Sequence, residues 1–251
     1  TFQAPSARHA FCIFEHVYFS RPDSRVFERS VHHSRYMMGR KLAQESPAEV
    51  DLVVPIPDSG VTAALGFSYE SDVPFQVGLI RNHYVGRTFI EPRQSIRHFG
   101  VKIKLNPVRE LLDGKRVVLV DDSIVRGTTT RAIVEMLRSA GAAEVHLRIS
   151  SPPYRWPCFY GMDTGTQGEL LAANLNMQEI RDYLGVDSIA YLELDRLIDA
   201  TEAPGAGFCT ACLDGQYPVE IPEGLTRNVL EERRDDRGTR FVSTSQMKLG
   251  Q

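Results

Sequence analysis

The stretch VVLVDDSIVRGTTT, residues 117–130, decides the fold of this 251-residue chain. Residues 117–120 form a continuous apolar run, which is typical of a strand that a parallel sheet buries on both faces. The threonines that follow begin a segment with helical apolar spacing, which predicts a helix over residues 128–140, and residues 144–149 alternate as a second strand. A strand, a helix and a strand over about 34 residues form a βαβ unit. The stretch therefore predicts an α/β fold.

Segments on both sides of this unit extend the same pattern. Residues 51–57 (DLVVPIP) predict a short buried strand followed by a turn and a helix, and residues 24–44 have the apolar spacing of an amphipathic helix. Residues 177–184 predict a helix that ends at Gly185, and residues 189–200 predict a strand and then a helix. We therefore expect a parallel sheet whose ligand site lies beyond the carboxyl ends of its strands.

The composition is that of an ordinary globular protein, with 42% hydrophobic residues, 24% charged residues and a net charge of −3. A near-neutral charge argues against a nucleic-acid partner and a membrane-surface partner. There is no run of about 18 apolar residues that could span a membrane, and the first residues do not follow the order of a signal peptide. The sequence therefore predicts a soluble, cytoplasmic protein.

Residues 117–130 have the chemistry of a phosphate site. The predicted strand ends at two adjacent carboxylates, Asp121 and Asp122, and the N-terminus of the next helix offers backbone N–H groups and a helix dipole to an anion. Gly127 lets the backbone approach a ligand closely. Two adjacent carboxylates can accept hydrogen bonds from a sugar diol or hold Mg²⁺, although Asp121 could also simply cap the turn.

The four cysteines of the chain are Cys12, Cys158, Cys209 and Cys212. The cytosol keeps thiols reduced, so a disulfide framework is not expected. Cys209 and Cys212 form a CxxC pair, which can be a redox pair, half of a metal site or a chance occurrence. A loop precedes this pair, which favours metal, and the other soft ligands available are Cys12 and Cys158.

Residues 117–130 resemble the phosphoribosyl pyrophosphate (PRPP) signature of the type I phosphoribosyltransferases. Other segments, in order along the chain, resemble the C-terminal half of the amidophosphoribosyltransferase family. These segments are residues 11–19 (FCIFEHVYF), 21–24 (RPDS), 55–60 (PIPDSG), 84–90 (YVGRTFI), 104–106 (KLN), 144–146 (EVH), 150–153 (SSPP) and 157–161 (PCFYG). The resemblance runs over residues 11–220. It implies a parallel-sheet type I phosphoribosyltransferase fold with helices on both faces, plus a C-terminal cysteine-containing segment.

The resemblance also implies a reaction and a set of site residues. Ammonia attacks C1 of PRPP, which releases pyrophosphate and gives 5-phosphoribosylamine, the first step of purine biosynthesis. Asp121 and Asp122 would hold the ribose hydroxyls and Mg²⁺, while Asp58 and Ser59 would lie on the pyrophosphate side, with Ser59 a further Mg²⁺ contact. The residues implied to grip the 5-phosphate are Ser123, Ile124, Val125, Arg126, Gly127, Thr128 and Thr129.

A basic segment between the predicted strands is expected to form a lid over pyrophosphate. Residues 81–104 contain six Lys or Arg residues and one acidic residue. Arg87 and Lys104 are the candidates for catalytic anion contacts, and Arg93 is a further candidate. The family usually has Lys where Arg81 stands here, and Arg keeps the charge but changes the geometry. A nucleotide-inhibition role at Arg81 is therefore in doubt.

All four cysteines occupy positions at which the iron–sulfur members of the family carry their cluster ligands. The resemblance implies a [4Fe–4S] cluster held by Cys12, Cys158, Cys209 and Cys212, although four thiolates suit zinc equally well by ligand type. The expected role of the metal site is structural. It would fix the N-terminal linker to the sheet domain.

The expected organisation of the chain has four parts. These are a linker with the first cysteine (residues 1–23), a phosphoribosyltransferase domain (24–200), a CxxC segment (201–224) and a polar tail (225–251), with no N-terminal glutaminase domain. The expected partners are PRPP, ammonia, a separate glutaminase chain or domain, inhibitory purine nucleotides and further copies of the chain in a tetramer or dimer. The alternatives are a phosphoribosyltransferase for another acceptor and a non-catalytic regulator that binds PRPP.

Overall fold

The computed structural model describes residues 9–82, 105–162, 164, 166–203 and 207–221. Its strands are β1 Phe11–Cys12, β2 Arg25–Val26, β3 Arg29–Ser30, β4 Leu52–Pro55, β5 Leu79–Arg81, β6 Leu105–Pro107, β7 Arg116–Asp121, β8 Glu144–Ile149, β9 Ser188–Tyr191 and β10 Phe208–Cys209. Its α-helices are α1 Val31–Glu45, α2 Val61–Ser71, α3 Arg109–Leu112, α4 Thr128–Ser139, α5 Leu171–Asn174, α6 Met177–Leu184, α7 Leu194–Ala200 and α8 Ala211–Asp214. A π-helical turn spans Glu15–Phe19 and a 3₁₀ turn spans Gln167–Glu169.

The central sheet has the strand order β4-β7-β8-β9, and all of its neighbouring strands are parallel. In the register of the sheet, Leu119 pairs with Val54 on one side and with Leu147 on the other. Strand β7 is buried from Val117 to Asp121, as its unbroken apolar run predicts. The predicted α/β fold with a parallel sheet is therefore confirmed.

Helices cover both faces of this sheet because alternate residues of β7 point to opposite sides. Leu119 lies in the core that includes Ile133 of α4 and Leu184 of α6. Val118 lies in the second core, on the opposite face, with Met38 of α1. Other buried residues of this second core are Phe67 of α2 and Leu197 of α7.

Helices α1 and α2 pack backbone against backbone on the second face. A Cβ atom at Gly39 would lie 1.8 Å from the carbonyl oxygen of Ala63, and one at Gly66 would lie 2.0 Å from that of Tyr36. Real Cβ atoms do not approach backbone oxygens this closely, so each helix needs glycine at its crossing position.

The prediction of one helix over residues 24–44 was wrong at its start. A short hairpin of β2 and β3 precedes the helix, with Phe27 and Glu28 at positive φ in its turn. Ser30 then caps α1 by accepting a hydrogen bond of 3.2 Å from the backbone N–H of His33. Residues 25–30 form this hairpin, although their apolar spacing is also compatible with a helix.

Two distant segments meet outside the central sheet. Strand β1 pairs in parallel with β10, so that Cys12 stands opposite Cys209. Strands β5 and β6 pair antiparallel, with Arg81 opposite Leu105.

Within the described residues no helix has the length and apolar character required to span a bilayer.

Candidate active site

Two buried aspartates lie at the carboxyl end of β7, in the middle of the parallel sheet. Asp121 is 8% exposed and Asp122 is 6% exposed. The backbone N–H of Asp122 donates to Oδ1 of Asp121 at 2.9 Å, and the hydroxyl of Ser123 donates to Oδ2 of Asp122 at 2.5 Å. Burial and the neighbouring Asp122 raise the pKa of Asp121 well above its ordinary range. Burial and mutual repulsion therefore disfavour two negative charges in this pair, and a cation or a hydrogen-bond donor beside it would stabilise the ionised form.

The turn after β4 brings Ser59 to this pair. The backbone N–H of Ile56 donates to the carbonyl of Val120 at 2.9 Å. A Cβ atom at Gly60 would lie only 2.4 Å from that same carbonyl, so glycine is needed for the close approach. A hydrogen bond between Ser59 and Asp121 lowers the pKa of Asp121, against the effect of burial. The structure therefore places together the three residues predicted as Mg²⁺ contacts.

The predicted phosphate segment spans residues 123–129, and its residues 123–127 form the loop that connects β7 to α4. Gly127 has φ +75° and stands at the N-cap of the helix, a conformation that glycine adopts without strain. The backbone N–H of Leu171 donates to the carbonyl of Val125 at 2.8 Å, and this hydrogen bond fixes the loop to the start of α5. The first N–H groups of a helix have no partner within it, so the loop presents donors suited to an anion.

The side chain of Arg126 is already engaged in this structure. Its guanidinium lies 2.6 Å from the carboxylate of Glu169 in the 3₁₀ turn, and both groups are partly exposed. A phosphate in the loop would therefore meet the backbone N–H groups first. The hydroxyls of the same segment belong to Ser123, Thr128 and Thr129.

Asp58, predicted on the pyrophosphate side, forms an ion pair with Arg81 at the end of β5. The pair ties the turn after β4 to the strand that leads towards the predicted lid. Arg87, Arg93 and Lys104, the predicted anion contacts, lie outside the described residues.

Arg35 is a residue near the site that motif analysis missed. Arg35 carries a charge, yet it is buried, at 4% exposure. It lies on the apolar face of α1 together with Val31 and Met38. Burial lowers the pKa of its guanidinium, and the charges of Asp122 and Tyr18 act against that change. A cation at helical spacing within an apolar stripe was the sequence signal that could have identified it.

The four cysteines lie in three segments that converge outside the central sheet. All four are free thiols of intermediate exposure. Trp156 and Arg155, just before Cys158, each donate a backbone hydrogen bond of 3.0 Å to the carbonyl of Cys212. Burial raises the pKa of Cys212, and the neighbouring thiols of the other three cysteines raise it further. Among the described residues, however, no group of three or more His, Cys, Asp or Glu side chains has the arrangement that could hold a metal ion.

Comparisons with known proteins agree with this geometry. The family described as phosphoribosyl transferase domain matches residues 29–150. The amidophosphoribosyltransferase of Synechococcus elongatus is 52% identical over 91% of this chain and 46% of its own length. The chloroplastic amidophosphoribosyltransferase 1 of Arabidopsis thaliana is 58% identical over 84% of this chain and 38% of its own length. The chain thus spans less than half the length of these relatives.

A solved structure extends the likeness to three dimensions. The glutamine PRPP amidotransferase from B. subtilis, complexed with ADP and GMP, superposes with a TM-score of 0.79 at 48% identity. The match covers 87% of this chain and 49% of that one. The chain therefore has the type I phosphoribosyltransferase fold and is homologous to the amidophosphoribosyltransferases over one part of their length.

Proposed function

We propose that this chain catalyses the phosphoribosyl transfer step of an amidophosphoribosyltransferase. Ammonia would attack C1 of PRPP, pyrophosphate would leave, and 5-phosphoribosylamine would form at the start of purine biosynthesis. The observation that carries this proposal is the buried pair of Asp121 and Asp122, placed between Ser59 and the N-terminus of α4. The name shared by relatives at 50–58% identity supports the choice of ammonia as acceptor.

The residues of the chain would act mainly by positioning and by charge. The loop at residues 123–129 would bind the 5-phosphate through the N-terminus of α4. Asp121 and Asp122 would accept hydrogen bonds from the ribose hydroxyls and so orient C1 for attack. Their negative charge would also favour the oxocarbenium-like transition state, because a buried carboxylate acts through a low local dielectric.

The oxygen donors of this site fit Mg²⁺. Asp121 is a buried carboxylate whose pKa is raised by burial and by Asp122, so a cation beside it would relieve an unfavourable charge. Two carboxylates and a hydroxyl are hard oxygen ligands, the kind that Mg²⁺ prefers. Asp121, Asp122 and Ser59 would hold the ion. When bound, Mg²⁺ would supply charge neutralisation for the pyrophosphate leaving group.

The four cysteines are proposed to hold a [4Fe–4S] cluster. Zinc is the alternative, because four thiolates suit it equally well by ligand type. The described residues show no group of three or more His, Cys, Asp or Glu side chains arranged to hold a metal ion. The thiols nevertheless affect one another electrostatically, as the raised pKa of Cys212 shows. The resemblance of the cysteine positions to those of the iron–sulfur members of the family supports the cluster, which four Cys thiolates can hold. Its role would be structural, because Cys12 and Cys209 join the linker strand β1 to β10.

Because the chain spans 46% of the Synechococcus relative, we propose that a glutaminase domain or chain supplies ammonia to it. Purine nucleotides are proposed inhibitors, since the B. subtilis relative was solved with ADP and GMP. We further propose a cytoplasmic homo-oligomer, a tetramer or a dimer.

The acceptor is tested by competition between nucleophiles. The protein would be incubated with PRPP and Mg²⁺ together with ammonium or with each nucleobase, and the products would be identified by mass spectrometry. We expect 5-phosphoribosylamine or its hydrolysis product with ammonium, and no nucleotide with a nucleobase. Formation of a nucleotide would identify a phosphoribosyltransferase for another acceptor.

A further inference from the structure

We propose that Glu169 is a positioning residue that holds the side chain of Arg126 away from the 5-phosphate of the substrate, and that it thereby limits the affinity of the phosphate loop. The inference rests on the proposed function, since it concerns the same loop. It goes beyond that function because Glu169 lies in the 3₁₀ turn Gln167–Glu169, outside the motif that forms the loop.

The first step of the argument is the contact between the two side chains. The Nε atom of Arg126 donates to Oε2 of Glu169 at 2.8 Å, and its Nη2 atom lies 2.6 Å from the same carboxylate oxygen. Two contacts between a guanidinium and a carboxylate fix the direction of the arginine side chain as well as its distance. The ion pair therefore determines where the positive charge of Arg126 lies.

The second step concerns the turn that carries Glu169. The side-chain amide of Asn174 donates to three carbonyl oxygens of this segment, those of Gln167 at 3.1 Å, Gly168 at 3.2 Å and Leu170 at 2.7 Å. The backbone N–H of Glu169 donates to the carbonyl of Thr166 at 2.9 Å. The turn is thus held by its own hydrogen bonds, and it presents the Glu169 carboxylate independently of Arg126.

The third step is that the backbone of the phosphate loop has its own attachment to this segment. The hydrogen bond from Leu171 to Val125 joins the two backbones at 2.8 Å. A Cβ atom at Gly127 would lie 2.7 Å from the side chain of Leu171, so the loop also packs closely against α5. Loss of the Glu169 carboxylate would therefore free the guanidinium of Arg126 and leave the loop backbone in place.

The fourth step concerns charge. Arg126 immediately precedes Gly127, the N-cap of α4, where the first N–H groups of the helix suit an anion. A guanidinium is a strong partner for phosphate, and an arginine side chain at this position is long enough to reach a phosphate bound there. Glu169 competes with the phosphate for Arg126, and its negative charge also repels the phosphate. Both effects lower the affinity for the 5-phosphate.

The ion pair between Arg131 and Glu135 on α4 provides a matched comparison. It also joins a half-exposed arginine to a half-exposed carboxylate, at 3.3 Å. The guanidinium of Arg131 in addition lies over the ring of Tyr183, 5.2 Å from its centroid. Removal of the Glu135 carboxylate changes the net charge as removal of the Glu169 carboxylate does, but it leaves Arg131 on that ring.

The test measures the binding of ribose 5-phosphate to the full chain by calorimetry, after circular dichroism has shown that the variants fold. We expect Glu169→Gln to lower the dissociation constant about three- to fivefold, because a half-exposed ion pair of this kind is weak and its loss has a limited effect. Glu135→Gln should change it less than twofold. The dissociation constant of pyrophosphate with Mg²⁺ should change less than twofold in both variants, because pyrophosphate is proposed to bind on the side of Asp58.

Steady-state kinetics of ammonium-dependent pyrophosphate release gives a second readout. Glu169→Gln should lower KM for PRPP and change kcat less than twofold, because a stronger contact with the 5-phosphate acts equally on the substrate and on the transition state. In an Arg126→Gln background, adding Glu169→Gln should change the dissociation constant of ribose 5-phosphate less than twofold, since there is no guanidinium to release.

An unchanged or raised dissociation constant for ribose 5-phosphate in folded Glu169→Gln would overturn the proposal, since the loss of a merely structural ion pair would loosen the loop. An equal gain in affinity for pyrophosphate, in Glu135→Gln or in the Arg126→Gln background would overturn it as well, because the effect would then be one of net charge. If Glu169→Gln does not fold, Glu169→Ala gives the same comparison.

The same measurements separate this inference from the proposed function. Wild-type protein that binds ribose 5-phosphate and releases pyrophosphate, with Glu169→Gln unaffected, would contradict the role of Glu169 alone. Wild-type protein that binds neither ribose 5-phosphate nor PRPP would contradict both.

Discussion

At the scale of single residues, the candidate site depends on a carboxylate pair that the fold keeps largely away from water. Asp121 is held by the backbone of Asp122 and by Ser59, so its position depends on how closely the turn after β4 approaches β7. That approach is possible because Gly60 has no side chain. A single methyl group at this point is therefore expected to affect both stability and substrate binding.

We predict that Gly60→Ala lowers the free energy of unfolding by about 1–3 kcal/mol, as overpacking does, and lowers kcat/KM for PRPP at least tenfold. The reason is the 2.4 Å separation between the added Cβ atom and the carbonyl oxygen of Val120. Urea unfolding and steady-state kinetics would measure the two effects. Gly168→Ala is the control, since its nearest neighbour would be 3.8 Å away. A Gly60→Ala protein that matches this control would contradict the account of the turn.

His16 gives a second prediction at this scale, concerning acid stability. Its ring is fully buried beside Phe27 and Phe208, and neither ring nitrogen has a hydrogen-bond partner in the described part of the chain. Burial lowers the pKa of His16 below its ordinary 6.5. The unfolded chain therefore binds a proton at His16 that the folded chain resists. The contribution of neutral His16 to the free energy of unfolding is complete above pH 6.5, and it is lost as the pH falls below that value.

We accordingly expect His16→Leu to lose less unfolding free energy than the wild type when the pH falls from 8 to 5. Chemical denaturation at several pH values would measure the difference. His32→Gln, on the exposed side of α1, should behave as the wild type does. An unchanged pH dependence in His16→Leu would show that other groups control acid unfolding.

At the scale of elements, the contact between α1 and α2 places Arg35 and the linker relative to the sheet. The two helices touch through Gly39 and Gly66, and they share a core with Val53 and Val118 of the sheet. This contact positions the linker turn that Arg35 holds, whereas β7 and α4 carry the aspartate pair and the end of the phosphate loop.

We predict that Gly39→Ala destabilises the protein by about 1–3 kcal/mol or more, although alanine favours helices by about 1 kcal/mol over glycine. The added Cβ atom would lie 1.8 Å from the carbonyl oxygen of Ala63, and backbone cannot yield as a side chain can. Thermal and urea unfolding would measure the change, with His32→Ala on the same helix as the control. A gain in stability for Gly39→Ala would mean that the helices are further apart than described.

The elements also show what the sequence could predict. The helix at Met177–Leu184 has the predicted bounds because its capping box and Gly185, at φ +72°, are local signals. The start of α1 was predicted wrongly because positive φ at Phe27 and Glu28 follows from tertiary packing and leaves no pattern in the sequence.

The residues of the candidate site also divide into those that the sequence could predict and those that it could not. The Asp121–Asp122 pair could be found from a contiguous motif at the end of a strand, and its placement beside Ser59 follows from parallel strand order. Arg35 is buried on α1 and donates to the carbonyls of His16 and Ser20, and no local motif records those contacts. Its apolar neighbours at helical spacing were the only signal.

At the scale of the whole molecule, the linker and the CxxC segment are far apart in the sequence but pair with each other outside the central sheet. Cys12 and Cys209 are brought together by β1 and β10, two short strands that do not belong to the central sheet. Strands of two residues contribute little stability alone, so the proposed cluster, if it is bound by the four cysteines, would stabilise this pairing considerably.

We predict that anaerobically purified protein contains iron and acid-labile sulfide, and that Cys158→Ser loses both and melts at a lower temperature. The physical reason is that metal–thiolate bonds exist only in the folded state, so their loss is a loss of stability. Colorimetric iron and sulfide assays with calorimetry would measure this. One zinc ion per chain without iron would establish the alternative, and absence of both metals would refute the metal site.

The most direct test of the proposed function is ammonium-dependent pyrophosphate release from PRPP and Mg²⁺ at raised pH, using anaerobically purified protein. We expect release by the wild type, a loss of about a hundredfold or more in Asp121→Asn, and no change in the exposed control Asp195→Asn. No ammonium-dependent release by folded, metal-loaded wild type, or equal release by Asp121→Asn, would contradict the proposal that this chain is a phosphoribosyltransferase acting through its buried aspartate pair.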